Sequence, residues 1–249
     1  MFHVKPAPVV AISNQKGGVG KTTTVVNLAA GLGLAGKRVL VIDNDPQANA
    51  SSSFSSTTYT HSIYTGQGPV ATSSERVHMI PAGADLADQE RRLMSDRAGV
   101  FALRQQLQTH RVNFDCILID CPPNLTCLPT NALFAATHLL VPLQSEYFAL
   151  EGLSQLLAHV DGLRQDQQLD LTLAGILLTM ADPRVPLARQ VEAEVRKHFG
   201  DKVFQSVIPR DPVAASAPSH GTSLLDHDLL SAAALAYLAA TKELIHVLE

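Results

Sequence analysis

The sequence predicts an α/β fold: a single doubly wound, mainly parallel sheet flanked by helices on both faces. Three observations carry this. Short apolar runs alternate with longer helix-like stretches along the 249 residues. The runs are continuously apolar, as strands covered on both faces are, and do not alternate apolar with polar. A glycine- and lysine-rich segment separates the first run from the first helical stretch, the join at which α/β sheets hold ligands.

The elements follow in order. Pro8 to Ser13 (PVVAIS) reads as a buried strand. Lys21 to about Ala35 reads as a helix stopped by Gly36. Further strands are expected at Arg38–Ile42, Cys116–Ile119, Leu139–Pro142 and Leu173–Leu178, and further helices at Leu150–Gln165, Leu187–Phe199 and Leu229–Val247. Nine of the twelve residues from Ser51 to Ser62 are Ser or Thr, so 51–69 reads as a flexible surface loop, with a lid or partner-contact segment beside the ligand as the alternative. No linker composition interrupts the chain, and residues 1–249 are read as one domain.

Composition narrows the function classes. An apolar fraction of 46% with 17% charged residues excludes intrinsic disorder. A net charge of −4 argues against a globally basic nucleic-acid binder. No uninterrupted apolar stretch reaches membrane-spanning length, and the N-terminus lacks signal-peptide architecture. Cys116, Cys121 and Cys127 are odd in number and fit a reduced, cytoplasmic compartment. Their C-x4-C-x5-C spacing matches no zinc pattern.

The strongest motif is Lys16-Gly17-Gly18-Val19-Gly20-Lys21-Thr22-Thr23. Glycines let a backbone curl so that N–H groups converge on phosphate oxygens, and the following helix N-terminus adds positive potential. Lys21 is positioned for the β- and γ-phosphates of a nucleotide, and the Thr22 hydroxyl for Mg²⁺. The usual first glycine of such a loop is Gln15, and an extra lysine, Lys16, stands beside it. Two acid-bearing strand ends supply the carboxylates: Asp43 and Asp45 after the second run, and Asp120 after CILI. A lone Asp at a strand end is often a turn former. Three that converge on a phosphate loop point to Mg²⁺ and to the attacking water, with Asp120 as the Mg²⁺-holding acid.

These segments resemble the deviant-Walker ATPases of the ParA/MinD class, and among them the ParA/Soj partition ATPases. The likeness extends through Val41 to Gln47, Leu118 to Pro123, Pro142 to Leu153, Ile208-Pro209-Arg210 and Ala217 to Gly221. It implies a Mg²⁺-dependent ATPase, slow in its basal state, in which ATP joins two copies into a sandwich. Lys16 would cross to the second copy's phosphates, Asp45 would orient the hydrolytic water, and Thr179, Met180, Pro209 and Arg210 would border the adenine. It further implies non-specific binding of double-stranded DNA in the ATP state, release by a ParB-like activator, and a cytoplasmic protein associated with the nucleoid. Two other functions stay open: an orphan relative that positions a protein cargo, and a non-hydrolysing regulatory module. The short form without an N-terminal helix-turn-helix is expected, and with it no operator recognition.

The chain departs from the family in places. Ala48 replaces the usual glycine after Asp-Pro-Gln, and Val213 replaces an arginine implicated in DNA contact. DNA contact must then fall on a local patch. The window from Arg184 to Arg210 holds Arg184, Arg189, Arg196, Lys197, Lys202 and Arg210 against three acids. No membrane partner is expected, because Leu229–Val247 lacks the basic residues of an amphipathic anchor.

Overall fold

The computed structural model describes residues 6–146, 148–167 and 169–249; Tyr147, inside the Pro142–Leu153 motif, lies outside them. The strands are β1 (Val9–Ile12), β2 (Val39–Asp43), β3 (Val70–Ala71), β4 (Val77–Ile80), β5 (Cys116–Asp120), β6 (His138–Gln144), β7 (Thr172–Ala181) and β8 (Val203–Pro209). The helices are α1 (Lys21–Leu34), α2 (Asn49–Phe54), α3 (Leu86–Ser95), α4 (Ala102–Leu107), α5 (Cys127–Ala135), α6 (Ala149–Gln167), α7 (Pro186–Phe199), α8 (Pro212–Ser216), α9 (Leu224–His227) and α10 (Ala232–Leu248).

One sheet runs β3-β4-β2-β5-β1-β6-β7-β8, and every pairing is parallel except the short β3. The expected doubly wound α/β class is therefore the observed one. Successive side chains on a strand point to opposite faces, and both faces are buried. Val9, Ala11, Leu40, Ile42, Ile117 and Ile119 pack into one core with α4, α5, α6 and α7. Val10, Ile12, Val39, Val41, Cys116 and Leu118 pack into the other with α1 and α10. This two-sided burial is the reason the strands read as unbroken apolar runs.

Helix α10 is the packing element its Ala- and Leu-rich sequence suggests. Tyr237, Ala233, Ala240 and Leu244 are buried against α1. Gly31 of α1 permits the close crossing: a Cβ there would lie 2.3 Å from Thr241 Oγ1. No described helix is long and apolar enough to cross a membrane.

The Ser/Thr-rich segment departs from the loop expected over 51–69. Its start is helix α2, and Ser51, Ser53 and Phe54 are buried. The hydroxyls that make the segment look loop-like turn back onto the chain: Ser52 Oγ donates to Ala48 O (2.9 Å) and Ser53 Oγ to Asn49 O (2.8 Å). A turn at Ile63–Thr65 is pinned by Thr65 Oγ1, which donates to Asp85 Oδ2 (2.6 Å).

The strands absent from the sequence reading are the two-residue β3, β4 and β8. Both β4 and β8 carry polar residues mid-strand, His78 in one and Gln205 and Ser206 in the other. Strand β8 closes one edge of the sheet. The N–H groups of Gln205 and Ser206 donate to the Glu243 carboxylate of α10 (2.7 and 2.8 Å).

Candidate nucleotide site

Strand β1 lies between β5 and β6 and is followed by the 15–20 loop, so the loop sits where the winding of the sheet reverses. Gly18 and Gly20 have φ of +73° and +85°, a conformation open to glycine at little cost. Gly20 caps α1 and Lys21 is its first residue. The loop is braced on three sides. Asn14 Nδ2 donates to Pro142 O (2.8 Å), while Asn14 Oδ1 accepts from Lys16 N (3.0 Å). Gln15 Nε2 donates to Gln155 Oε1 of α6 (2.6 Å). Thr179 Oγ1 of β7 donates to Val19 O (2.8 Å).

Lys21 is buried, and its ammonium donates to Lys16 O (3.0 Å). Burial lowers its pKa, opposed by the nearby carboxylates of Asp120 and Asp45. The acids stand beside it. Asp43 and Asp120 are cross-strand partners in the β2–β5 register, so the two carboxylates sit side by side. Asp43 Oδ2 accepts from Ser51 N and Oγ (2.7 and 2.6 Å), and Oδ1 from Asp45 N (3.2 Å). Even so, burial pushes the Asp43 carboxyl up to about 6. Asp45 is also buried, with Oδ1 accepting from Gln47 N (2.9 Å).

Asp120 differs from both. It is fully buried, and neither carboxylate oxygen accepts a well-formed hydrogen bond, although the Thr22 hydroxyl is near enough to interact with it. Burial and the Asp43 charge drive its pKa well above the usual carboxylate range, while Thr22 and Lys21 beside it favour the charged form. A buried carboxylate short of partners is costly unless a cation or donor completes it. The oxygen donors Asp120, Asp43 and Thr22 suit a hard divalent ion. Among the described residues no group of three or more His, Cys, Asp or Glu encloses a metal unaided. Mg²⁺ is ordinarily held by one or two carboxylates, with substrate phosphates and water completing its shell.

Beside the loop a cleft of ≈ 370 Å³ opens between Gly20, Thr179, Met180, Pro209, Arg210 and Tyr237. All four residues expected around the adenine thus line it. Thr179 has a second task, because its hydroxyl is committed to the loop carbonyl of Val19. Met180 holds φ +52°, unusual for a side-chain-bearing residue, at the cleft wall. Tyr237 was not among the expected residues. It forms the cleft floor with its hydroxyl 3.2 Å from Thr24 Oγ1, and as one aromatic in an apolar helix it carries no local motif.

The basic residues are less concentrated. Arg184 is paired with Asp182 (2.8 Å), Arg196 with Glu192 (3.0 Å) and Lys197 with Glu194 (3.6 Å). Arg196 Nη1 also donates to Phe204 O (3.1 Å), which makes it part of the scaffold. Arg189 and Arg210 lie toward the nucleotide end of α7 and β8, whereas Lys202 follows the far end of α7. The 14 residues of α7 put roughly 20 Å between those ends. Val213, in place of the family arginine, packs partly buried against the α1/α10 core.

Comparison with known proteins adds the family. The AAA_31 family model, an AAA domain, matches residues 7–173. The chromosome partitioning protein ParA of Caulobacter vibrioides is 42% identical over 98% of this chain and 96% of its own length. The sporulation initiation inhibitor protein Soj of Bacillus subtilis is 44% identical over 94% and 97%. Among solved structures, a cobyrinic acid a,c-diamide synthase from Mycobacterium smegmatis with bound ATP analogue and magnesium is 33% identical, with a TM-score of 0.84 over 96% of this chain and 94% of that one. Apo McdA from Cyanothece, at 20% identity, has the same fold (TM-score 0.84; 96% and 99% covered).

Proposed function

We propose, from the fact that this chain belongs to the ParA/Soj family of partition ATPases, that it is a Mg²⁺-dependent ATPase whose ATP state pairs two copies and binds DNA without sequence preference. The observation that carries the nucleotide chemistry is the fully buried Asp120 carboxylate beside Lys21 and Thr22, whose oxygens accept no well-formed hydrogen bond. A family relationship alone would leave that carboxylate without a physical account.

Each residue then has a task. The backbone N–H groups of Gly17, Gly18, Val19 and Gly20, with the α1 N-terminus, receive phosphate oxygens. The Lys21 ammonium leaves the Lys16 carbonyl for the β- and γ-phosphates. Asp120, Asp43 and Thr22 would hold Mg²⁺, which supplies charge neutralisation to the phosphates when bound with ATP. Asp45 orients the attacking water. Lys16 reaches the second copy's phosphates and completes the positive charge around the transferred group, as an arginine finger does. The apolar walls of the 179–180 and 208–210 cleft take the adenine.

In this account hydrolysis ends the paired state, a ParB-like activator accelerates it, and DNA is released. Arg189 and Arg210 at the nucleotide end of the molecule are the favoured DNA contacts, doubled by pairing, and Arg184 joins them only by giving up Asp182. Phosphate release measured with Mg²⁺-ATP, with and without DNA and an activator, tests the scheme. Turnover is expected to be slow alone and stimulated by both additions. Asp45→Ala should bind ATP yet persist as a dimer on size exclusion. An Asp45→Ala chain that turns over ATP at the wild-type rate would overturn the water-orienting role.

A further inference from the structure

We propose that Glu146 is an autoinhibitory latch: it holds Lys16 within its own chain until ATP and a second copy draw the lysine away. The inference rests on Lys16 being the residue that serves the second copy's nucleotide. Lys16 Nζ forms an ion pair with Glu146 Oε2, across 130 residues of sequence. The Lys16 backbone is meanwhile fixed at both polar atoms, with N donating to Asn14 Oδ1 and O accepting from Lys21 Nζ. Only the side chain is left to move, and it is docked on the rim of its own molecule.

The placement of Glu146 gives the latch its reach. Glu146 lies just after β6, whose Pro142 carbonyl braces Asn14, and just before α6. The neighbouring Gln15 is bonded to α6 through Gln155 and through the Gly152 carbonyl (3.3 Å). Two consecutive loop residues therefore tie the phosphate loop to the start of α6. Departure of Lys16 cuts one tie and leaves the Glu146 carboxylate uncompensated at the molecular rim. The side chains are 41% and 48% exposed, so the pair is weak enough to exchange. Pairs of this kind bias an equilibrium by about two- to fivefold, and a dimer releases two of them, so the bias is squared.

The test uses the whole 249-residue chain. Sedimentation velocity across a series of Mg²⁺-ATP concentrations gives the dimer midpoint for wild type and for Glu146→Gln, which keeps shape and hydrogen bonding but removes charge. The expected result is a dimer favoured about four- to twenty-five-fold in the variant, with Glu146→Asp between the two. Limited lysine acetylation read by mass spectrometry supplies a second measure in the nucleotide-free chain. Lys16 should be labelled faster in Glu146→Gln, while Lys242 on the exposed side of α10 is labelled at an unchanged rate. An ATP-dependent wild-type dimer combined with an unmoved midpoint and unmoved Lys16 labelling overturns the latch and leaves the proposed ATPase standing. A wild-type chain that never dimerises with ATP overturns both.

Discussion

The nucleotide edge and the basic stretch along α7 were both legible as residue clusters in the sequence, yet they fold into opposite arrangements. Lys21, Asp43, Asp45 and Asp120 are separated by up to about a hundred residues, and the parallel strands with the loop after β1 bring them to one buried spot, with Lys16 on its exposed rim. Arg184 to Lys202 are contiguous, and the helix that carries them spreads them over the height of the sheet. Three of these cations are already occupied by acids on the same element or turn. Strand ends concentrate charge, whereas a helix disperses it. A charge count in a sequence window therefore overstates a patch, while separated acids in a parallel α/β pattern understate a site.

The largest expected effect breaks the buried cluster. Asp120→Asn should lower Mg²⁺-dependent turnover by about 10²–10³-fold. The same change should raise the melting temperature of the nucleotide-free chain at neutral pH, because ionising this desolvated carboxyl beside Asp43 is costly. The pH dependence has a definite sign. The folded-state pKa of Asp43 lies at about 6 and that of Asp120 well above its ordinary 3.8, so the folded state keeps protons that the unfolded chain releases. Their contribution is fully present below about pH 4 and is lost as pH rises through the folded values. Calorimetry from pH 4 to pH 7.5 should show the variant's advantage widening with pH, and a flat difference would mean that the acids are not desolvated.

A smaller effect sharpens the contrast with α7. If DNA is met at the nucleotide end, Arg189→Ala should remove one phosphate contact per copy. In the ATP state the slope of log affinity against log salt should then fall by about 2. Lys202→Ala, at the far end of the helix, should change the slope by less than half of that. Equal slopes in the two variants would restore a contact surface running the full length of α7.

The smallest effect concerns Ala48, which holds φ +54° between the Asp45 turn and α2. A Cβ in this conformation costs about 1 kcal/mol. Ala48→Gly should raise the melting temperature by about 2–4 °C, as read by circular dichroism.

The sequence reading succeeded where chemistry and periodicity coincide. The 16–23 loop follows an apolar run and opens a helix, and Asp43 and Asp120 end two such runs, so the runs that announced the strands also located the acids. It failed where neighbours decide. Ser51 looks like loop material but is buried as a donor to Asp43, because a charged strand end needs hydroxyl and N–H partners. Strand β8 carries Gln205 and Ser206 because it has a neighbouring strand on one side only, so the rule of continuous apolar runs passes it over. Tyr237 belongs to the cleft through the crossing of α10 over α1, which the residues around it in sequence do not encode. Glu146 sat in a recognised motif, but its pairing with Lys16 spans 130 residues and has no signature at either end.

The Glu243 carboxylate over the edge of β8 bears on how copies of this chain can meet. An open strand edge is a template on which another chain can add a strand, and sheets left that way grow into fibres. Here one border of the sheet has two of its donors taken by a helix side chain, and the other border is the two-residue β3, too short to template anything. Strand addition is hindered at both borders. If copies pair as proposed, the sheet borders take no part, and the contact can be tied to the ligand held at the strand ends.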